Sequence, residues 1–144
     1  MLKALRRLAA FCLCITLSLG LVSPGAARAD DAAVIARQAA AFEDTKSRLP
    51  ELARLVSAED WTFTRNLIHG PMQEVGREML YINQRLDKSE RKQADAIARD
   101  LKAALADLDE AARLQDSSRL QRSYSAVASG FEAYSEVIPA GALS

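Results

Sequence analysis

Residues Trp61 to Leu80 read W-T-F-T-R-N-L-I-H-G-P-M-Q-E-V-G-R-E-M-L. The stretch holds the only Trp, the only His and every Met except the initiator. Apolar residues recur at Ile68, Met72, Val75, Met79, Ile82 and Leu86, in alternating steps of four and three. That spacing draws one stripe down a helix and predicts helix from Trp61 to Leu86. Yet His69-Gly70-Pro71 stands inside it. Pro71 has no N–H for the carbonyl of Leu67, and its ring crowds that turn. Gly70 weakens the helix further. Such an interruption produces a kink or a break. One explanation is packing: the bend wraps the helix round its neighbours and lets Trp61 close the end of the core. The other is docking, with Trp61, His69, Gly70 and Pro71 at or beside a contact with a partner.

The segments on either side carry three more amphipathic patterns. On the N-terminal side, Ile35, Gln38, Phe42, Thr45, Leu49, Leu52 and Val56 repeat at three and four, with Asp30 or Asp31 as N-cap. Pro50 interrupts this stripe and predicts a kink or two shorter helices near residue 49. Ser57-Ala58-Glu59-Asp60 is a turn that offers caps for Trp61. On the C-terminal side, Asp87 and Glu90 have capping-box spacing. A third helix then carries Ala94, Ile97, Leu101, Leu105, Leu108 and Ala112, with Asp95–Arg99 and Asp109–Arg113 as i,i+4 pairs. After a turn at Gln115–Ser118, a fourth shows Leu120, Tyr124, Val127, Phe131, Tyr134 and Ile138, with Gly130 permitting close approach of a neighbour. Pro139 and Gly141 end the order. No segment alternates like a strand. The expected fold is all-α, an up-down-up-down four-helix bundle, because short connections force neighbours to run antiparallel.

The N-terminus has a different composition. Lys3, Arg6 and Arg7 precede an apolar run from Leu8 to Val22, Ser23-Pro24-Gly25 breaks it, and Ala27-Arg28-Ala29 supplies small residues for cleavage. This is the pattern of a secretory signal peptide, residues 1–29. The 15-residue run falls short of the roughly 20 residues a membrane span needs. The remaining domain, residues 30–144, carries 15 basic and 19 acidic residues, a formal charge of −4. It has no basic block, which excludes nucleic acid as a partner. Both cysteines, Cys12 and Cys14, lie in the signal core, so the mature domain has neither thiol nor disulfide nor a cysteine placed for lipidation.

Few chemistries survive. His69 has carboxylates only at Glu74 and Glu78, five and nine residues on, and neither shares its helix face. Covalent haem would need Cys-x-x-Cys-His. Non-covalent haem would need His and Met from opposite sides, whereas His69, Met72 and Met79 share one helix. A di-iron bundle needs two histidines. No catalytic triad or phosphate loop is present. The sequence therefore offers no catalytic residue, metal ligand or cofactor site.

Asp60-Trp61, Ile68-His69-Gly70-Pro71-Met72 and Arg77-Glu78-Met79-Leu80 resemble, at their spacings, the signature of cyanobacterial PsbQ (CyanoQ), an extrinsic photosystem II protein family. Asp107-Leu108-Asp109-Glu110-Ala111-Ala112 is similar to the family's block near the end of its third helix, and Ser117 and Tyr124 fall at similar places. The resemblance covers residues 35–139. It implies a four-helix bundle on the lumenal face of photosystem II that supports the oxygen-evolving centre, retains calcium and chloride and favours dimers. It also implies contact with PsbO and an inner antenna subunit, no catalysis and no cofactor. Most cyanobacterial relatives carry a lipid-anchoring cysteine after the signal, and this chain has Ala-x-Ala instead, so its membrane association would rest on protein contacts. The alternative from another class is an exported helical carrier or chaperone-like bundle for a metal, haem or unfolded protein.

Overall fold

The computed structural model describes residues 24–142, with side chains from Arg28 onward. Most of the segment expected to be a signal peptide, residues 1–23, lies outside the described residues. Among those described, the structure is all-helical and contains no strand. Its elements are α1 (Pro24–Lys46), α2 (Leu49–Ser57), α3 (Trp61–His69), α4 (Val75–Asn83), α5 (Lys88–Leu114) and α6 (Ser117–Val137), followed by a 3-10 turn (Ala140–Ala142). No helix among them is long and apolar enough to cross a membrane. Contacts divide the chain after Asp30, and residues from Asp31 onward form one compact unit.

Both interrupted stripes are broken rather than bent. The first helix closes at Lys46, and Ser47 caps the turn by donating from its hydroxyl to Asp44 O at 2.6 Å. Pro50 falls in the first turn of α2, where its missing N–H has no intrahelical partner to lose. Asp30 and Asp31 lie within α1, which begins at Pro24, so neither is the expected cap. The helix expected over Trp61–Leu86 is two nine-residue helices, α3 and α4, and α4 ends at Asn83. Pro71 deprives the Leu67 carbonyl of its i+4 donor, and the N–H of Met72 takes that place at 3.2 Å. The Leu67 carbonyl therefore keeps a partner, and the break is cheaper than proline in an unrepaired helix. Asp60 caps α3 as expected, its carboxylate accepting from Phe63 N at 3.1 Å.

The apolar stripes meet in one core. Ile68, Met72, Val75, Met79, Ile82 and Leu86 are all buried, straight through the break. From α6, Leu120, Val127, Phe131, Tyr134 and Ile138 are buried. Phe42 of α1 packs against the rings of Phe131 and Tyr134, with centroids 5.3 and 4.9 Å away. Gly130 lets α5 approach: a Cβ there would stand 3.0 Å from Leu101 Cδ1 and 3.2 Å from Leu101 Cβ. Two expected seam positions, Ile97 and Tyr124, are only partly buried. Ala98 and Ser123 point inward instead.

Polar contacts set the register between helices. Tyr134 donates from its hydroxyl to Asn83 Oδ1 at 2.6 Å, and lies 3.0 Å from Met79 O. Asn83 in turn donates to Asp95 Oδ1 at 2.7 Å, which ties α4, α5 and α6 together. Asp107 of α5 accepts from Arg119 and Ser123 of α6. Lys46 of α1 pairs with Glu132 of α6 at 2.9 Å. These partners displace the local i,i+4 pairs expected on α5. Asp95 goes to Asn83, Asp109 to α3, and Arg113 pairs with Glu110 at i,i+3. Asp87 occupies the N-cap of α5 without a side-chain cap bond, so the capping box does not form. Arg91 secures that turn by donating to Gln84 O and Leu86 O at 2.7 and 3.1 Å.

Candidate functional site

The four residues singled out in the sequence do not form one cluster. Trp61 opens α3 and His69 closes it, so eight residues of helix, about 12 Å of rise, separate them. Trp61 is partly buried and packs on the core, as closing the end of the core requires. Its exposed edge lines a shallow depression with Arg65, Arg113 and Gln115. His69, Gly70 and Pro71 are contiguous and exposed at the break, while Met72 beside them is buried.

Gly70 is fixed by backbone crowding. A Cβ there would stand 2.8 Å from the carbonyl oxygen of Asn66, inside contact distance, and backbone cannot yield as a side chain can. The Gly70 N–H meanwhile donates to that same carbonyl at 2.9 Å. Gly70 and Pro71 thus end α3 sharply and leave its last residue, His69, projecting beside α5.

His69 has a carboxylate partner that its own helix could not supply. Its Nε2 lies 2.8 Å from Asp109 Oδ1 on α5, and the Nε2–H tautomer donates. Arg65, one turn earlier on α3, donates from Nε to the same oxygen at 2.9 Å. Burial alone would push the Asp109 carboxyl up, but the hydrogen bonds from Arg65 and His69 outweigh it and hold the group below its usual range. Asp109 therefore stays charged and clamps the end of α3 to α5. The imidazole remains 60% exposed. Among the described residues no hydroxyl or thiol bonds to the pair, so it has no nucleophile to activate. No group of three or more His, Cys, Asp or Glu among them could hold a metal.

Two clefts flank the break. On the α2 side, Phe63, Leu67 and Pro71 face Glu51 and Arg54 across about 470 Å³. On the α5 side, Ile68, Met72, Val75 and Leu105 floor a cleft of about 400 Å³ rimmed by His69, Lys102 and Asp109. Sequence reasoning missed Arg65, Lys102 and Asp109. The signal lay in the block from Asp107 to Ala112, but its contact with His69 spans 40 positions and depends on how α3 and α5 align. It also missed Phe63, which is 60% exposed on α3.

With this geometry established, comparison with known proteins places the chain. CyanoQ of Synechocystis sp. is 26% identical over 88 residues, covering 61% of this chain and 59% of that relative. The chain thus matches about three-fifths of the length of the curated relative. The family described as oxygen evolving enhancer protein 3 matches across residues 6–139, and the chain belongs to that family, PsbQ.

Proposed function

We propose that this chain is a non-enzymatic extrinsic subunit of photosystem II on the lumenal side of the thylakoid membrane. There it stabilises the oxygen-evolving complex, supports calcium and chloride retention, and favours assembled dimers. It holds to the membrane through contacts with PsbO and an inner antenna subunit rather than through a lipid. The observation that carries this is the PsbQ family match across residues 6–139. Residues 1–29 act as a cleaved signal peptide, and residues 30–144 form an up-down-up-down four-helix bundle with α1–α2 and α3–α4 as its two broken legs. Antiparallel pairings support that arrangement: Thr45 and Asp31 meet Glu78 and Arg85, and Arg65 and Asn83 meet Asp109 and Asp95.

Within it, the break at His69-Gly70-Pro71 is the docking face, with Trp61 at its margin. The exposure of His69 and Pro71, in contrast to the burial of Met72, supports this assignment. A tagged chain added to isolated oxygen-evolving photosystem II should co-purify with it, whereas a carrier or chaperone-like bundle should not. His69→Ala with Pro71→Ala should keep the melting temperature and weaken that binding. Intact binding, or binding that falls only in step with stability, would reject the docking face. Intact-mass measurement should find the mature chain starting near Asp30, without a lipid adduct.

A further inference from the structure

The cleft on the α5 side of the break is built at a cost that packing does not explain. Gly76 lies in the first turns of α4, where Ala would favour the helix more. A Cβ there would meet Lys102 Cδ at 3.6 Å and Cγ at 3.9 Å, ordinary contact distances. Ala would therefore fit, and the glycine is not forced by crowding as Gly70 is. What Gly76 does is keep the cleft wall low where the methylene stem of Lys102 passes over it. A long side chain that lays its stem along the surface in this way keeps its charged head in water.

The charge of the cleft is unbalanced. Asp109 is already bonded to Arg65 and His69. Arg77 and Glu74 nearby pair with each other at 2.7 Å. Lys102, on the rim, has no ion pair or hydrogen bond among the described residues. The floor beneath it is apolar, with Ile68, Met72, Val75 and Leu105. An unpaired ammonium beside an apolar floor fits a carboxylate next to an apolar side chain. The cleft is open and shallow, which suits side chains from a flat protein surface better than an enclosed small molecule.

We propose that the cleft between the α3–α4 break and α5 receives an acidic side chain and an adjoining apolar one from a protein of photosystem II. The carboxylate docks on Lys102, and the apolar group lies over the floor of Ile68, Met72, Val75 and Leu105 beside Gly76. This rests on the photosystem II reading above and adds the chemistry of the contact. It also separates the roles of the two glycines: Gly70 shapes the break, and Gly76 keeps the receiving surface open.

The test uses the mature chain and isolated photosystem II depleted of its extrinsic proteins. Lys102→Glu should bind on the order of tenfold more weakly, because it sets like charges together. It should also reduce the salt dependence of binding, while Lys92→Glu on the same helix should leave both unchanged. Gly76→Ala should raise the melting temperature and yet weaken binding, an opposition that a purely structural glycine would not produce. Carbodiimide coupling of the bound wild type should give a peptide joining Lys102 to an Asp or Glu of another subunit.

If the wild type fails to bind photosystem II at all, the proposed function itself falls. If the wild type binds and Lys102→Glu binds equally well, the cleft inference alone falls. Cross-linking of Lys102 only to a second copy of this chain would overturn it. So would a Lys102→Glu variant that loses binding to anionic phospholipid vesicles shown by the wild type while keeping its binding to photosystem II.

Discussion

Glu78→Gln should stabilise the protein at neutral pH and remove its response to mild acid. Glu78 lies on α4 with 8% exposure, an uncommon place for a carboxylate. Among the described residues its carboxylate has one hydrogen bond, from Thr45 Oγ1 of α1 at a long 3.4 Å. Burial pushes its carboxyl above the usual 4.5 against the pull of the Thr45 bond, and the charges of Glu74 and Asp44 add smaller pushes. A folded-state pKa above the unfolded one means that the folded protein binds the proton more tightly. Stability therefore rises as pH falls through the folded value and levels off near the unfolded one. The opposing groups act lower. Hydrogen bonds from Arg119 and Arg113 hold Asp107 and Glu110 below 3.8 and 4.5, and those from Arg65 and His69 hold Asp109 down despite its burial. Their contributions are lost mainly below those values, so the two windows meet only at the acid end of the Glu78 range. An underbonded buried polar group costs about 1–3 kcal/mol, more when charged. The glutamine returns part of this because its amide N–H groups also need partners. A net gain of about 1 kcal/mol at neutral pH, or roughly 3–6 °C in melting temperature for a domain of this size, is expected. Thermal melts of both proteins from mildly alkaline pH down to pH 4.5 check it. A variant that melts below wild type at neutral pH, or that keeps the wild-type pH slope, refutes the account of Glu78.

Three further outcomes are expected of the core. Phe131→Ala removes a fully buried ring that packs on Phe42 and should cost about 3–5 kcal/mol, read as a large fall in denaturation midpoint. Tyr134→Phe leaves Asn83 Oδ1 and Met79 O without the hydroxyl and should cost about 1–3 kcal/mol. If its melting temperature is unchanged, that network does not fix the register of α4 against α6. Gly130→Ala drives a methyl to 3.0 Å from Leu101 Cδ1 and should cost about 1–3 kcal/mol, with Leu101→Ala in the same chain relieving part of the strain.

The helices were legible because burial is periodic and local. Leu120, Val127, Phe131, Tyr134 and Ile138 keep their spacing whatever α6 packs against, so one strip of sequence suffices to find the face. The same stripe ran through Gly70 and Pro71 and made α3 and α4 read as one helix. The missing fact was the Met72 N–H reaching back to Leu67 O, which a periodicity count does not contain. Side-chain partners were less legible. Asp95 and Asp109 each had a basic residue four positions on, but both chose partners on other helices, which a count along one helix does not contain. Trp61, His69, Gly70 and Pro71 stood out by type alone. Only the alignment of α3 with α5 separates Trp61, which packs on the core, from His69, which projects beside a cleft.

Why the chain keeps a broken helix turns on how the costs fall. In an isolated helix, Gly in place of Ala costs roughly 1 kcal/mol and Pro roughly 3. At residues 70 and 71 the cost is lower, because the freed carbonyl is taken up and Met72, at 1% exposure, still seals the core. Packing can therefore account for the break. It sets the start of α4 so that Glu78 reaches Thr45 and Asn83 reaches Tyr134. Packing does not account for Gly76, which sits in regular helix with room for a methyl group. A glycine where alanine fits matches what the proposed docking surface requires, and the binding and melting of Gly76→Ala decide whether it serves that surface. Gly76 lies on the same cleft as His69 and Lys102, which has no ion pair or hydrogen bond among the described residues. Gly76, unlike the Gly-Pro pair, has no packing contact that requires it, so Gly76→Ala is the substitution that separates docking from packing at this end of the molecule.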